Sequence, residues 1–535
     1  MERLSNLLKS IDGKGYKAYK DIAGFYNATD YNLEILNVQG DPFASPTMFE
    51  FSIKVRKVTD NLELLETKIK KTAFEDYLLR ELYENLEKDG YIGEIFLLKP
   101  QDEIIKRTAI SIKGEKLFIK YYLNLPAKGR NVLGNEAFEK IDKFSKKIYE
   151  YLLGFNVEKA KRQIKLFENI ENLREKLKTE KVKVFIANGT IIKKEDKEIR
   201  IDSPPTLERE FVLENGFSIK GMCINEGITV ITGYDFQGKS TLLEAIASGV
   251  YNHIEGSGKE FLLTDKEAVN IFAEKGRIIN GLDMSSFIRG EERAKYYIEQ
   301  CASSLISQTA NVLEAVEVGK PLLLIDEDNS VTNFLYRDAK LKEYLQGKEH
   351  SIPFIEKMNN LYEDLGVSSI VVTSSIGAFM SCADQVLLMK DYEVLDITNS
   401  VNKSEWGDCL KESIKLTKRK LNISSNLEEF QNKKVKFKTS GMENISFGKE
   451  EINLNKNNLI IDNGQLNFIV ELIKKIFSRS ELHGKTLKEI LDTYEERIDN
   501  EGIEEVLGVK NGSLIFARKY EVAAVINRFK KSLYV

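Results

Sequence analysis

Residues 228–241 read Ile228-Thr229-Val230-Ile231-Thr232-Gly233-Tyr234-Asp235-Phe236-Gln237-Gly238-Lys239-Ser240-Thr241. An apolar run opens into the pattern G-x-x-x-x-G-K-S, and a helical pattern follows over residues 242–246. This order of strand, glycine-containing loop and helix is that of the P-loop. The backbone N–H groups of such a loop surround phosphate oxygens at the start of the helix. The segment therefore predicts a site for a nucleoside triphosphate.

The motif also predicts what its side chains do. Lys239 is expected to reach the β- and γ-phosphates, and the Ser240 hydroxyl is expected to ligate Mg²⁺. The predicted nucleotide-binding residues are Gly233, Tyr234, Asp235, Phe236, Gln237, Gly238, Lys239, Ser240 and Thr241. A chance glycine turn is disfavoured, because strand and helix patterns stand on the required sides of the loop.

A second motif lies downstream, where residues 321–327 read Pro321-Leu322-Leu323-Leu324-Ile325-Asp326-Glu327. The apolar run predicts a buried parallel strand, and such strands end at one edge of the sheet, beside the phosphates. We expect Asp326 to hold Mg²⁺ through water and Glu327 to polarise the attacking water. A pair of acids that merely caps a helix is the alternative. Adjacent carboxylates at this place are typical of ABC-type ATPases.

A serine-rich segment stands between these motifs, where residues 303–308 read Ser303-Ser304-Leu305-Ile306-Ser307-Gln308. ABC-type ATPases carry a signature helix shortly before the acidic strand, and its N-terminus contacts the γ-phosphate held by a partner subunit. Either Ser303-Ser304 or Ser307-Gln308 is predicted to face that phosphate. The candidate contacts are therefore Ser304, Ser307 and Gln308. A plain helix N-terminus capped by serine explains the same residues.

The segments after the second motif fit the same class of enzyme. Residues 328–333 occupy the place of the D-loop, and residues 369–375 predict the next core strand. Many ABC-type ATPases present a switch histidine at the end of that strand, whereas this chain has Ser374 or Ser375. A hydroxyl is thus predicted to contact the γ-phosphate. The predicted catalytic residues are Glu327, Lys239 and Ser375.

Segments spread over nearly the whole chain resemble the predicted ABC-class ATPases of bacteria. They are residues 12–20, 38–46, 125–130, 251–254, 324–328 with 332–334, and 517–524. The chain is also similar to a kinetoplastid mitochondrial RNA-binding ATPase of that family. It departs from the family at Ser304, where a Ser-Gly-Ser-Thr-Ser-Gln stretch is usual, and at Leu305 and Ile306. This departure bears on the phosphate contact and hence on the turnover rate.

The resemblance implies a function. It implies that the protein binds Mg-ATP, hydrolyses it slowly at a site completed across a head-to-tail homodimer, and couples it to single- or double-stranded RNA. Lys128 and Arg130 are predicted nucleic-acid contacts; the alternative is an ordinary turn whose cations face water or pair with Glu136 and Glu139. An ATP-gated protein scaffold is the alternative function. A DNA-repair clamp needs a long coiled coil, for which residues 242–302 leave too little room.

Composition places the chain among cytoplasmic proteins. It has 535 residues, 42% of them hydrophobic, with 79 basic and 83 acidic side chains. No apolar run reaches the roughly 18 residues that a bilayer span needs, and no secretion signal is visible. The four cysteines are scattered without metal-binding spacing, and three histidines make a histidine-based metal site improbable. Lysines 113, 116 and 120, interleaved with aromatic residues, suit a single strand or an amphipathic solvated face.

These observations predict an α/β protein with an ABC-type P-loop NTPase core flanked by an N-terminal and a C-terminal α+β domain. The predicted boundaries are residues 1–179, 180–405 and 406–535. Residues 48–55 and 109–123 are predicted as strands and residues 136–178 as one long charged helical stretch. A hairpin turn is predicted at Asn188-Gly189. Phe217 or Phe211 would stack on adenine, or either ring belongs to the core.

Overall fold

The computed structural model describes residues 1–194, 197–290, 292–345, 350–401, 413–414, 416–424, 430, 436–454, 459–530 and 533–534. The chain forms two compact units. The first unit is Met1–Glu168 with Ile503–Phe516, and the second is Asn169–Gly502 with Ala517–Val535. The predicted domain boundary at residue 179 stays a prediction, and the one at residue 405 falls outside the described residues.

The first unit is built on an antiparallel sheet whose strand order is β1-β2-β3-β7-β4, with β6 also paired to β7. Its strands are β1 (Gly24–Asn27), β2 (Asn32–Ile35), β3 (Thr47–Lys54), β4 (Ile95–Phe96), β5 (Glu103–Ile104), β6 (Ile110–Lys113), β7 (Lys116–Leu123), β8 (Ala127–Lys128) and β9 (Asn131–Val132). Its helices are α1 (Glu2–Ser10), α2 (Val55–Val58), α3 (Lys68–Lys88), α4 (Gly134–Leu153), the first part of α5 (Val157–Thr179), and one turn at Ile503–Leu507.

The long helical stretch predicted over residues 136–178 is two helices, α4 and α5. Helix α4 ends at Gly154, whose N–H donates to the carbonyls of Glu150 and Tyr151. The Asn156 side chain accepts the backbone N–H of Lys159 at 3.0 Å, which caps the start of α5. The predicted stretch is helical apart from this break, where a glycine and a capping asparagine interrupt the chain within three residues.

Lys120 belongs to the core of the first unit and not to a nucleic-acid surface. Its side chain is fully buried, and its Nζ lies 3.2 Å from Glu50 Oε2 and 3.0 Å from Glu504 Oε2. The ammonium also donates to the Thr108 carbonyl at 3.3 Å. Lys116, Phe118 and Lys120 are two residues apart and share one face of β7, where Lys116 is exposed near the strand start and Lys120 is buried in the charge network.

The second unit contains the remaining elements. Its strands are β10 (Val182–Ala187), β11 (Thr190–Lys194), β12 (Lys197–Ile201), β13 (Glu208–Val212), β14 (Ser218–Asn225), β15 (Ile228–Gly233), β16 (Asn252–His253), β17 (Leu262–Thr264), β18 (Ala268–Ile271), β19 (Ile279–Leu282), β20 (Tyr297–Glu299), β21 (Leu322–Asp326), β22 (Ser368–Val372), β23 (Gln385–Lys390), β24 (Glu393–Asp396), β25 (Phe437–Ser440), β26 (Asn444–Phe447) and β27 (Glu450–Asn453). Its further helices are α6 (Lys239–Ser248), α7 (Ser304–Val318), α8 (Thr332–Leu335), α9 (Ala339–Leu345), α10 (Met358–Leu365), α11 (Ala378–Cys382), α12 (Asn463–Phe477), α13 (Leu487–Glu501) and α14 (Lys519–Ile526).

A central sheet with strand order β18-β21-β22-β15-β23-β24 positions the site. Strands β18, β21, β22, β15 and β23 run parallel, and only β24 pairs antiparallel. Residues of β21 and β22 are buried throughout, as expected for strands covered on both faces. Strands β15, β21 and β22 therefore end at one edge of the sheet, and the chain is an α/β protein with a P-loop core.

A second sheet, with strand order β13-β14-β10-β17, is antiparallel. The hairpin predicted at Asn188-Gly189 was wrong, since β10 pairs with β14 and β17 while β11 pairs with β12. Gly189 has a φ of 84°, and its N–H donates to Ile201 at 2.9 Å. The turn therefore passes the chain from one sheet to the next instead of folding it back.

Buried ion pairs fasten the C-terminal segment to α7. The Arg419 guanidinium donates to both carboxylate oxygens of Glu317, at 2.6 and 3.0 Å, and lies 4.1 Å from the centre of the Tyr534 ring. Arg528 donates to Glu274 and, at 3.2 Å, to Asn311. Because a lone buried charge costs several kcal/mol, these pairs fix one arrangement of the chain around α7.

We expect Lys120→Met to lower the free energy of unfolding of the first unit by about 3 kcal/mol or more, because it leaves Glu50 and Glu504 buried without their cation. Urea unfolding followed by circular dichroism measures this. Lys116→Met is the control, since Lys116 is exposed on the same strand. Equal midpoints for the two variants would contradict the burial of the Lys120 charge.

Candidate nucleotide-binding site

The P-loop joins β15 to α6 and carries its lysine inward. Lys239 is the first residue of α6, and its Nζ donates to the carbonyls of Gly233 at 2.9 Å and Tyr234 at 2.7 Å. A Cβ at position 233 would lie 2.3 Å from the Met389 carbonyl oxygen, so only glycine fits there. Gly238 has a φ of 89°, which favours glycine at the turn into the helix.

The other loop residues form an exposed rim. Tyr234 and Phe236 are 83% and 91% exposed. Phe236 holds a φ of 63°, an uncommon value for a residue with a side chain. Gln237 accepts the backbone N–H of Asp391 through its side-chain carbonyl. The loop thus surrounds the Lys239 ammonium with backbone while its side chains face outward, as a cradle for phosphate oxygens requires.

The predicted magnesium ligands lie together. Asp326 ends β21 and is buried, and the Ser240 hydroxyl is hydrogen-bonded to its carboxylate. Burial raises the pKa of Asp326, while the hydrogen bonds from Ser240 and from the backbone of Asp328 oppose that rise. A hydroxyl and a carboxylate are the oxygen donors that Mg²⁺ takes when it also binds substrate phosphates. The residues present therefore fit the ion.

Glu327, the residue after the magnesium aspartate, is held by the end of the neighbouring strand. Its Oε2 accepts the Thr373 hydroxyl at 2.6 Å and the Ser374 and Ser375 backbone N–H groups at 2.8 and 3.2 Å. The Ser375 hydroxyl bonds the other carboxylate oxygen. Burial raises the pKa of Glu327, but these four hydrogen bonds outweigh it and leave the pKa below its ordinary value. The group is thus an oriented carboxylate at neutral pH.

The switch position is occupied by hydroxyls that already have a protein partner. Ser374 and Ser375 are exposed at the end of β22, where a γ-phosphate contact was predicted. Ser375 bonds Glu327 in this structure, so the predicted catalytic Ser375 lies beside the predicted catalytic Glu327. Thr373 makes a bond of the same kind and was missed by the sequence reasoning. The sequence contains a sign of this role, because Thr373 is a polar residue directly after the apolar run of the strand.

The two halves of the serine-rich segment lie in different surroundings. Ser303 caps α7, accepting the Ile306 N–H at 3.4 Å, and Ser304 begins the helix at a partly exposed position. Ser307 is fully buried, and its hydroxyl donates to the Glu274 and Ser304 carbonyls. Of the two halves, Ser303-Ser304 therefore lies where a ligand reaches it.

Gln308 is also buried, and it ties α7 to the D-loop. Its side chain donates to Ser330 Oγ at 2.8 Å and accepts the Val331 N–H at 2.9 Å. The side chains of Ser307 and Gln308 are buried and hydrogen-bonded within the protein. They are therefore not placed to contact a phosphate as predicted. They instead fix the D-loop beside the start of α7.

Ser304 lines a cleft of about 810 Å³. The cleft walls also include D-loop residues Asp328 and Asn329 and the Gly276 backbone. Gly276 donates to the Ala302 carbonyl at 2.8 Å, and Ala273 donates to the Asn329 carbonyl at 2.9 Å. No residue of the P-loop, 233–241, lines this cleft. The start of α7 therefore lines a cleft that the P-loop of the same chain does not line.

The candidate adenine-stacking rings differ in burial. Phe211 is 1% exposed and packs against Phe185, with ring centres 5.4 Å apart, so it belongs to the core. Phe217 is partly exposed and stacks on Phe261 at 5.3 Å. For Phe211 the structure agrees with the alternative of a core residue, and a stacking role for Phe217 stays a prediction.

Lys128 and Arg130 belong to the first unit, at the tip of the β8–β9 hairpin. Both side chains are exposed, and Gly129 between them has a φ of 65°. Arg130 Nε lies 3.8 Å from Asp41, and not beside Glu136 or Glu139 as the alternative expected. The pair remains a predicted nucleic-acid contact.

The remaining polar residues offer few other sites. Within the described ranges, no group of three or more His, Cys, Asp or Glu side chains is placed to hold a metal. His253 is fully buried, and burial lowers its pKa to about 3, so it is a neutral core residue. Cys223, Cys301 and Cys382 are not in disulfide bonds, while Cys409 lies outside the described residues. No helix in the described part of the chain is long and apolar enough to cross a bilayer.

Comparison with known families agrees with this site. A family model of the ABC ATPase P-loop domain matches residues 156–425. The chain belongs to the ABC-class ATPases. The model for the N-terminal domain of ABC-class ATPases matches residues 1–153, and the MRB1590 C-terminal domain matches residues 436–534. This ABC-class ATPase thus carries three family regions, and the P-loop lies within the one that matches the ATPase domain.

Individual relatives are more distant. The chain is 32% identical to an uncharacterised protein of Methanocaldococcus jannaschii over 317 residues, which are 54% of this chain and 67% of the archaeal one. A structure of CbiO1 from Clostridium perfringens, part of the ABC transporter complex cbiONQ, has 15% identity and a TM-score of 0.25 over 40% of this chain and 87% of that one. A bacterial Atm1-family ABC exporter with ATP bound has 10% identity and a TM-score of 0.24 over 50% of each chain.

We expect Lys239→Ala to lower ATP affinity at least tenfold, about 1.4 kcal/mol or more, because it removes the cation nearest the terminal phosphates. Isothermal titration calorimetry measures the affinity. Lys220→Ala is the control, since that exposed lysine lies on β14, outside the loop. Unchanged affinity in Lys239→Ala would contradict the assignment of the P-loop.

Proposed function

We propose that this ABC-class ATPase binds Mg-ATP and hydrolyses it slowly across a homodimer, and that ATP controls binding of RNA. The observation that carries the proposal is the shared edge of the central sheet, where the P-loop with Lys239 and Ser240 follows β15, Asp326 and Glu327 stand at the end of β21, and residues 373–375 follow β22. Lys239 and the loop amides would bind phosphate oxygens, and Ser240 with Asp326 would hold Mg²⁺. The ion, once bound, supplies charge neutralisation at the β- and γ-phosphates.

Glu327 is the group that we assign to the water. Its carboxylate is ionised and fixed by the segment ending β22, so it can accept a hydrogen bond from the water that attacks the γ-phosphate. Positioning and electrostatics carry most of phosphoryl transfer. A restrained carboxylate therefore suits the role better than a mobile one.

The separation between the P-loop and the start of α7 supports a dimer. Ser304 lines a cleft that contains no P-loop residue of its own chain, so its phosphate would come from a second copy. Leu305 and Ile306 stand where the family pattern has serine and threonine, and their side chains pack against the core, so they offer no hydroxyl to that phosphate. This arrangement favours slow hydrolysis.

RNA is the cargo that the domain content favours. The C-terminal region matches the MRB1590 domain, named after the kinetoplastid RNA-binding protein. The first unit presents exposed cations at Lys128 and Arg130. An ATP-gated scaffold without nucleic acid is the second candidate, supported by the near balance of 79 basic and 83 acidic side chains.

Glu327→Gln should slow ATP hydrolysis by about two to three orders of magnitude while ATP stays bound, since glutamine keeps the shape but loses the negative charge. Phosphate release measures the rate, and size-exclusion chromatography with ATP tests whether the trapped nucleotide holds two copies together. Glu481→Gln is the matched control at an exposed position outside the site. A wild-type rate in Glu327→Gln would move the assignment to Asp328.

Replacing Lys128 and Arg130 together by glutamine should weaken binding to single-stranded RNA. Each lost phosphate contact should also reduce the log–log salt slope by about 0.7 to 0.9. Fluorescence anisotropy over a salt series measures both. Lys159→Gln with Lys161→Gln is the control, because it removes the same charge from exposed positions on α5.

ATP affinity should be unchanged in both double variants. Equal RNA affinity and slope in the Lys128 and Arg130 variant and its control would remove this hairpin from the contact surface. Failure of the wild type to bind nucleic acid in any nucleotide state would favour the scaffold.

A further inference from the structure

Three segments far apart in the sequence of the first unit are hydrogen-bonded into one surface. They are residues 12–20, 38–46 and 125–132. The Tyr16 N–H donates to the Arg130 carbonyl at 2.7 Å, and the Tyr16 hydroxyl donates to Gln39 Oε1 at 2.8 Å and to the Leu125 carbonyl at 3.0 Å. Tyr19 joins the same surface by donating to the Pro126 carbonyl at 2.6 Å. We call it the three-loop surface.

Gln39 is the centre of this surface. It is 2% exposed, and its Oε1 also accepts the Leu125 N–H at 3.2 Å. Its side-chain amide donates to the carbonyls of Pro42 at 3.1 Å and Ala44 at 2.9 Å. Every donor and acceptor of this amide is therefore used to hold the loop of residues 40–44 in one shape.

That loop presents an aromatic ring to solvent. Phe43 is 92% exposed, although its backbone is fixed by a hydrogen bond from its N–H to Asp41 Oδ1 at 3.1 Å. Because the loop that carries the ring is already restrained, little conformational entropy is lost when the ring binds a ligand. Aromatic side chains displayed in this way bind other π-faces or apolar surfaces.

Exposed cations on the same three segments as the ring indicate the charge of the ligand that this surface can bind. Lys14, Lys17, Lys20, Lys128 and Arg130 are exposed side chains of the same three segments. Lys20 passes beside the ring-bearing loop, because a Cβ at Gly40 would meet its Cε at 3.7 Å. The Nε of Arg130 lies 3.8 Å from the carboxylate of Asp41, so this cation also stands beside the loop of residues 40–44.

The nearby acids are fewer and partly engaged. Asp12 accepts the Gly134 N–H at 2.6 Å, and Asp41 holds the Phe43 backbone and pairs with Arg130. Asp21 follows the first segment directly, and Glu136 lies near Tyr19. Five exposed cations against the two acids of these segments give the three-loop surface a positive balance beside an exposed aromatic ring.

We propose that the three-loop surface binds single-stranded RNA, with Phe43 stacked on an unpaired base and Lys20, Lys128 and Arg130 on the flanking phosphates. This inference rests on the proposed function and names the contact. A paired base is stacked within its helix and offers no face to a side chain, so an exposed ring beside cations selects single strands. Gln39 is a positioning residue, since it acts through the loop.

Phe43→Leu tests the inference, because leucine keeps an apolar side chain but has no π-face. Binding to a labelled single-stranded RNA of mixed sequence should weaken by about five- to a hundredfold, with an unchanged salt slope. Phe43→Tyr should bind within about twofold of the wild type, since every aromatic ring stacks on a base. The duplex made from the same RNA should bind all three proteins equally.

The control is Phe25→Leu, which removes an exposed ring from β1 of the same unit. Lys20→Gln should reduce the single-strand salt slope by about 0.7, which separates phosphate contact from stacking. Thermal unfolding of each variant should match the wild type because these side chains are exposed.

The outcomes separate this inference from the proposed function. If the wild type binds single-stranded RNA and Phe43→Leu binds it equally well, the stacking inference is overturned while RNA binding stands. If the wild type binds no RNA, the RNA part of the proposed function fails first. If Phe43→Leu keeps RNA affinity but loses self-association in size-exclusion chromatography, the ring is a contact between copies, which also overturns the inference.

Discussion

The hydrogen bonds from residues 373–375 to the Glu327 carboxylate join the ends of two neighbouring parallel strands. Strand β21 delivers the acid, and β22 delivers the groups that hold it. The P-loop strand β15 pairs with the other side of β22, so β22 lies between the phosphate cradle and the acidic strand. Any shift of β22 along its neighbours would move the Glu327 carboxylate relative to the P-loop. The register of this sheet is therefore a requirement of the proposed chemistry.

A second constraint links the site to the C-terminal segment. Helix α7 begins at the cleft. Gln308, near the start of this helix, is hydrogen-bonded to the D-loop, and Glu317, near its end, binds Arg419. Arg528 binds Glu274, whose backbone also contacts Ser307. The C-terminal chain is thus attached to the same helix that is proposed to meet the second nucleotide. We expect the C-terminal chain and α7 to move together, because separating a buried ion pair would leave a charge without either its partner or water.

Contiguous motifs carried most of what the sequence predicted. The P-loop and the acidic strand each specify a strand, a turn and a set of side chains within a few residues, so local chemistry alone defines them. Placement that depends on distant residues was not predictable. Lys120 is buried because Glu50 and Glu504 meet it, and these three residues are spread over most of the chain. Phe211 is buried because β14 and β10 cover it.

The serine-rich segment shows the same limit on a smaller scale. Both serine pairs fit a helix N-terminus, and only the packing of α7 against Glu274 and Ser330 shows that Ser307 and Gln308 face inward. The domain boundaries are another case. Residues 503–516 join the first unit although they follow the second in the sequence, and no local pattern marks such a return.

The hydroxyl at Ser375 gives the site a property that an imidazole would not. A serine hydroxyl keeps its proton at all physiological pH values, whereas histidine changes charge near pH 6.5. The Glu327 carboxylate it bonds has a lowered pKa and is likewise ionised throughout that range. In the proposed mechanism, the serine and the carboxylate at this position therefore keep the same charges from mildly acidic to mildly alkaline pH.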